Sequence, residues 1–245
     1  MPLPESPMST PDGQPPTRFG AQDRASLYSV LQERRDMRHF VPGEAVADEV
    51  LARVVRAAHC APSVGLMQPW RLIRVQDPAL RERIAQLVEQ ERLATAAAMQ
   101  QRSDEFLALK VEGVRDCAEL LVAVLAPDDG TLFGRRTMPR DMALCSAACA
   151  IQNLWLAARA ENLGMGWVSL FEPAALGQLL QLPEGAQAIA VLCLGPVPAF
   201  YPKPMLELQD WRHGRPLEEM VATDRWTSDL TSDLTGDLAG DGPGA

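Results

Sequence analysis

The sequence predicts an α+β fold, a mixed central β-sheet flanked by helices, and three observations carry that expectation. Short apolar runs bounded by Gly or Pro, "AELLVAVLAP", "MGWVSLF" and "AIAVLCLGP", read as strands buried on both faces. Two longer segments space their apolar residues as helices do, and strands and helices interleave without a strict βαβ rhythm. At 245 residues, 47% of them hydrophobic, the chain is long enough to bury one sizeable core.

Residues 1–21 are rich in Pro, Ser and Gly and predict a disordered tail. The stretch "EAVADEVLARVVRAAHC" places Val46, Val50, Leu51, Val54, Val55 and Ala58 at helical spacing, with acidic residues in the first turns. Pro62 and Gly65 in "APSVG" end that helix, and "WRLIRVQD" follows as a strand. Asp77 is the expected N-cap and Pro78 the first-turn proline of the next helix. Its signal runs on less regularly through residues 93–113, a candidate insertion, lid or partner-facing element. "MALCSAACAIQNLWLAARAENLG" is apolar almost all round and predicts a central helix, with Gly164 as its C-cap. From residue 224 a four-residue "TSDL" repeat predicts a second disordered tail, which leaves residues 22–223 as the domain.

The charge narrows the choice of partner. With 32 acidic against 23 basic residues and a formal net charge of -9, nucleic acid and anionic membrane surfaces are poor partners. An anion held by this chain should be small and locally bound. No stretch approaches the roughly 20 apolar residues of a membrane span, and the N-terminus lacks the features of a signal peptide, so a cytoplasmic protein is expected. Five cysteines, an odd number in apolar surroundings, read as reduced core thiols. Cys145 and Cys149 share a helical face, but further ligands at zinc spacing are missing, and no metal is expected.

Four short motifs could carry chemistry. In "RRDMRHF", Arg34, Arg35 and Arg38 supply fork-shaped donors, and Arg34 and Arg38 share a face if the preceding helix persists. That cluster suits a phosphate, or it is a solvated basic helix end; Asp36 within it is a salt-bridge partner or an acid/base group. "APSVGLMQPW" is either a ligand-lining loop with Ser63 and Gln68 or a turn that sends Trp70 into the core. "GMGWVS" permits close backbone approach at Gly164 and Gly166 and presents Ser169, whose hydroxyl could equally be satisfied by backbone. Arg212 and Arg215 in "WRHGRPLEE" are further phosphate donors or plain surface arginines.

Taken together and in this order, the motifs resemble the nitroreductase-like flavoprotein family over residues 25–221. Within that family the chain is most similar to the branch formed by the 5,6-dimethylbenzimidazole synthases. Asp36 stands where nitroreductases commonly have serine, Leu66 where they usually carry asparagine, and residues 134–169 look like the synthases throughout.

The resemblance implies a homodimer with two FMN sites at the subunit interface, each built from both protomers. It implies that reduced FMN is bound and consumed, reacting with dioxygen and being fragmented to 5,6-dimethylbenzimidazole, the lower ligand of cobalamin. By the same resemblance Asp36 and Ser169 are the catalytic residues, the first for proton transfers and the second beside the reactive edge of the flavin. Arg34, Arg35, Arg38 and Arg212 or Arg215 would hold the phosphate, while Pro62, Ser63, Leu66 and Gln68 line the ring system. Met37 and Leu170 complete the expected cofactor contacts. The arginines are expected to keep Asp36 ionised, which favours a base role. Reduced FMN would come from a separate flavin reductase, and the lid would exclude water. Two other readings stay open, an FMN-retaining nitroreductase or flavin reductase driven by NAD(P)H, and a flavin-binding protein without turnover.

Overall fold

The computed structural model describes residues 18–131 and 139–225, so most of both expected tails and the start of the 134–169 run lie outside the described residues. Helix α1 (Ala21–Glu33) precedes α2 (Asp48–His59), which buries Leu51, Val54 and Ala58 on one face. Strand β1 (Trp70–Val75) leads into α3 (Pro78–Ala98), where the Asp77 carboxylate accepts from the Ala79 N–H and Pro78 takes the first turn, as expected. The 93–113 stretch finishes α3, makes a turn at Gln100–Arg102 and forms the short α4 (Ser103–Ala108). There follow β2 (Glu119–Leu125), α5 (Pro139–Ala160), β3 (Gly164–Val168), α6 (Pro173–Leu179) and β4 (Gln187–Gly195).

The four strands lie in the order β1-β2-β4-β3, and each neighbouring pair is antiparallel. The sheet is mixed through one contact, a parallel bridge from Asp36 to Met165 on the β3 edge. Both faces are covered. Leu121, Ala123 and Leu125 of β2 pack with Leu51, Val54, Ile151 and Leu154, whereas Leu120, Val122 and Val124 pack with Ile84, Val88 and Val191. Because side chains alternate across a strand, burial on both faces demands a continuous apolar run, and β2 and β4 have one.

Three expectations are corrected. Gly164 does not cap α5; Asn162 takes the left-handed turn (φ 58°), with Asn162 N–H bonded to Arg159 O and Leu163 N–H to Ala158 O. Gly164 instead opens β3, where a Cβ would lie 2.2 Å from Val197 Cγ1. Only Cys117 and Cys193 are core thiols, since Cys60, Cys145 and Cys149 are exposed. Nor is α5 covered all round, because Leu144 is 46% exposed on its outer side. Among the described residues no helix is long and apolar enough to cross a membrane.

Residues 202–225 belong to a separate C-terminal unit. It contains α7 (Met205–Leu208) and a turn at Leu217–Glu219, and Arg212 and Arg215 between them are exposed.

Candidate functional site

The basic segment is not helical. Arg34 adopts an extended conformation (φ -61°, ψ 131°) that stops α1, and the chain then runs alongside β3. Met37 N–H donates to Met165 O at 2.9 Å, beside the Asp36–Met165 bridge. Arg34 and Arg38 therefore do not share a helix face, which corrects the expectation from their spacing. Backbone hydrogen bonding to an exposed strand edge outweighs helix continuation here. The close approach depends on Gly166, where a Cβ would sit 2.3 Å from Met37 O. Met37 itself is fully buried, backbone included, so in this arrangement it presents no surface for the cofactor contact expected of it.

Asp36 is held from two sides. One carboxylate oxygen accepts the Trp167 N–H at 3.0 Å and the other accepts from Arg38 Nη2. Arg38, only 8% exposed, also donates Nη2 to Trp167 O at 2.9 Å, and its backbone N–H donates to the Tyr201 hydroxyl at 3.2 Å. Its Nε and Nη1 are buried without a partner among the described residues. The side chain of Asp36 keeps 41% of its exposure, yet burial of the carboxyl pushes its pKa above the ordinary aspartate value. Arg38, the Trp167 N–H and Arg34 pull the other way and lose. The arginines alone therefore do not set the ionisation of Asp36.

The remaining arginines are oriented differently. Arg35 Nη1 donates to Gln32 O at 2.6 Å and to Arg34 O at 2.8 Å. The Arg34 guanidinium lies over the Trp155 ring, 4.6 Å from its centroid, and among the described residues no acceptor bonds it. Trp155 Nε1 donates to Arg35 O at 3.2 Å and to Met165 O at 3.1 Å. Ser169 follows β3 two residues beyond Trp167; it is exposed, and among the described residues its hydroxyl has no partner. Leu170 is half-buried against the core.

The loop between α2 and β1 is strained. Gly65 (φ 57°), Leu66 (φ 53°) and Gln68 (φ 42°) all take positive φ, and Leu66 stands 77% exposed. Ser63 Oγ accepts the Gln68 N–H at 3.1 Å, closing the loop on itself. Ser146 of α5 accepts the Val64 N–H at 3.3 Å and donates to Met142 O at 2.7 Å, which fixes the loop to the helix. Pro62 is exposed beside it, and Trp70 is core.

The structure thus gathers Arg34, Arg35, Asp36, Arg38 and Ser169 at the β3 edge, and Pro62, Ser63, Leu66 and Gln68 in the loop. The two groups meet α5 at different stations. Trp155 and Ser146 are nine residues apart, which is about 13 Å along a helix. Sequence reasoning missed Ser146, Trp155 and Tyr201. Each acts by a contact to a distant segment, and a Ser or Trp within an apolar helical pattern carries no local sign of that.

The chain belongs to the nitroreductase family, whose model matches residues 31–196. It is 40% identical over 205 residues to a 5,6-dimethylbenzimidazole synthase of Rhodobacter capsulatus, covering 82% of this chain and 97% of that one. A 5,6-dimethylbenzimidazole synthase of Rhodospirillum rubrum is 39% identical over 202 residues, 81% of this chain and 94% of its own. The fold also matches the NADPH:FMN oxidoreductase of Vibrio harveyi, with a TM-score of 0.63, 20% identity, and coverage of 89% of this chain and 93% of that chain.

Proposed function

We propose that this chain is a 5,6-dimethylbenzimidazole synthase, an oxidoreductase that consumes reduced FMN and dioxygen. The observation that carries this reading is Asp36, a carboxyl held at the β3 edge by the Trp167 N–H and Arg38 with its pKa raised by burial, while the exposed Ser169 follows two residues beyond Trp167 in the chain. A carboxyl displaced upward toward neutrality serves proton transfer in either direction better than one held at its ordinary value. The match along almost the full length of two synthases supports it.

The donor set suits FMN. Arg34 offers a phosphate a guanidinium that no acceptor among the described residues takes, and the strained 63–68 loop offers the exposed Leu66 to an aromatic ring system. Reduced FMN, when bound, supplies the electrons for dioxygen and the ring carbons of the product. Asp36 takes up and returns protons, and Trp167 N–H with Arg38 holds its carboxyl in place. Ser169 places a hydroxyl near the reacting edge. Arg35 and Arg38 add positive charge, and Arg212 and Arg215 are the candidate further phosphate donors. Residues 93–113 are the candidate cover, with Phe106 as their buried anchor.

The enzyme is a homodimer, and the separation of the two residue groups along α5 supports a site completed by a second protomer. A separate flavin reductase delivers reduced FMN. A cytoplasmic location agrees with three exposed free thiols.

The test is to reduce FMN chemically in the presence of the protein, without nicotinamide, admit air and follow products by chromatography and mass. The expected result is 5,6-dimethylbenzimidazole with matching loss of FMN. Asp36→Asn and Ser169→Gly are expected to bind FMN and form no product. Quantitative return of intact FMN from the wild-type protein would overturn the synthase reading, and steady NAD(P)H oxidation would replace it with a reductase.

A further inference from the structure

We infer that Trp155 is a positioning residue for the FMN phosphate, acting through Arg34; this rests on the flavin reading above. A guanidinium has a flat face and in-plane N–H donors, and the two can be used at once. Here the guanidinium carbon lies over the Trp155 ring, 4.6 Å from its centroid, and no protein acceptor among the described residues takes the donors. The contact therefore positions Arg34 while leaving its N–H donors available to a phosphate.

Trp155 has a second hold on the same segment. Its Nε1 hydrogen donates to Arg35 O and Met165 O, tying the residue after Arg34 to the strand that also receives Met37 N–H. One indole thus sets both the position of the Arg34 guanidinium and that of the backbone next to it. A long arginine side chain ordered before the ligand arrives has less conformational freedom to lose on binding. Trp155 is itself only half-buried on α5, and its neighbour Trp167 lies with ring centroids 6.3 Å away, so the ring is braced from a second side.

This role differs measurably from a purely structural one. Riboflavin carries the ring system and ribityl chain of FMN without the phosphate, so comparing the two isolates the phosphate contact. Binding of oxidised FMN and of riboflavin would be measured by flavin fluorescence on the wild-type protein, Trp155→Phe and Trp155→Leu. Wild type is expected to favour FMN. Trp155→Leu should lower FMN affinity about tenfold and leave riboflavin affinity unchanged. Trp155→Phe keeps a weaker aromatic face without the N–H and should lose about threefold on FMN alone. Equal losses for both flavins, or an FMN preference unchanged in both variants, would overturn the inference while leaving the flavin reading intact. Should Trp155→Leu fail to fold, the Phe variant decides by the same ratio. A wild-type protein that binds FMN no better than riboflavin would instead remove the phosphate role of Arg34, and the inference with it.

Discussion

Asp36 was legible as a candidate because an acid inside a basic cluster is unusual, but its ionisation was not. Charge counting alone predicts a lowered pKa; the structure adds the desolvation that reverses the sign. The consequence for stability follows directly. A carboxyl whose folded pKa lies above its unfolded value stabilises the native state most at low pH, and that contribution is lost as pH rises through the folded value. In urea unfolding from about pH 3 to about pH 7, the stability of wild type relative to Asp36→Asn should fall as pH rises. A difference that rises with pH would mean that the Arg38 pairing dominates instead. Leu66 presents a second residue-scale case, a bulky side chain in the left-handed region with most of its surface in solvent. Leu66→Gly should raise stability by about 1 kcal/mol, since glycine meets no steric penalty there, and should weaken FMN binding by removing the apolar wall. Lower stability in the variant would show that Leu66 is held by packing that outweighs its strain.

At the scale of elements, periodicity found the strands and the main helices because apolar spacing is a local property. It failed for residues 34–38, where the chain could have continued α1 and instead bonded to the edge of β3. It failed again at the end of α5, where Asn162 supplied the left-handed turn that glycine was expected to supply. The docking of the basic segment depends on Gly166. Gly166→Ala would push a methyl group into Met37 O and within 2.9 Å of Arg38 Nη1. The expected cost is about 2–3 kcal/mol in urea unfolding, with loss of FMN binding. A stable Gly166→Ala protein with full FMN affinity would separate the cofactor site from this docking.

Among the described residues, the molecule leaves an apolar face uncovered. Leu27, Val30, Ala57, Leu156, Ala157 and Ala160 line a groove of about 560 Å³ between α1, α2 and α5. Beside it on α1, Tyr28 is 61% exposed, and α1 buries none of its residues. An apolar surface of this kind is a natural contact for a second copy of the chain. If the proposed homodimer packs through this face, Leu156→Arg is expected to be monomeric in sedimentation analysis where wild type is dimeric, and to lose FMN binding. If the variant stays dimeric and binds flavin normally, the subunit contact lies on another face.

By itself the sequence determined the α+β class, the sheet strands, the caps at Asp77 and Pro78, and the motifs that mark the family. Each depends on neighbours within a few residues, so spacing and turn chemistry suffice. Only the tertiary structure decided that Arg34 lies over Trp155 while Arg38 pairs with Asp36, that the pKa of Asp36 is raised, that Ser146 and Trp155 hydrogen-bond segments distant in the chain, and where apolar surface stays open among the described residues. Those properties arise from contacts between segments far apart in the chain, and burial, which sets both electrostatics and packing, exists only once those segments meet.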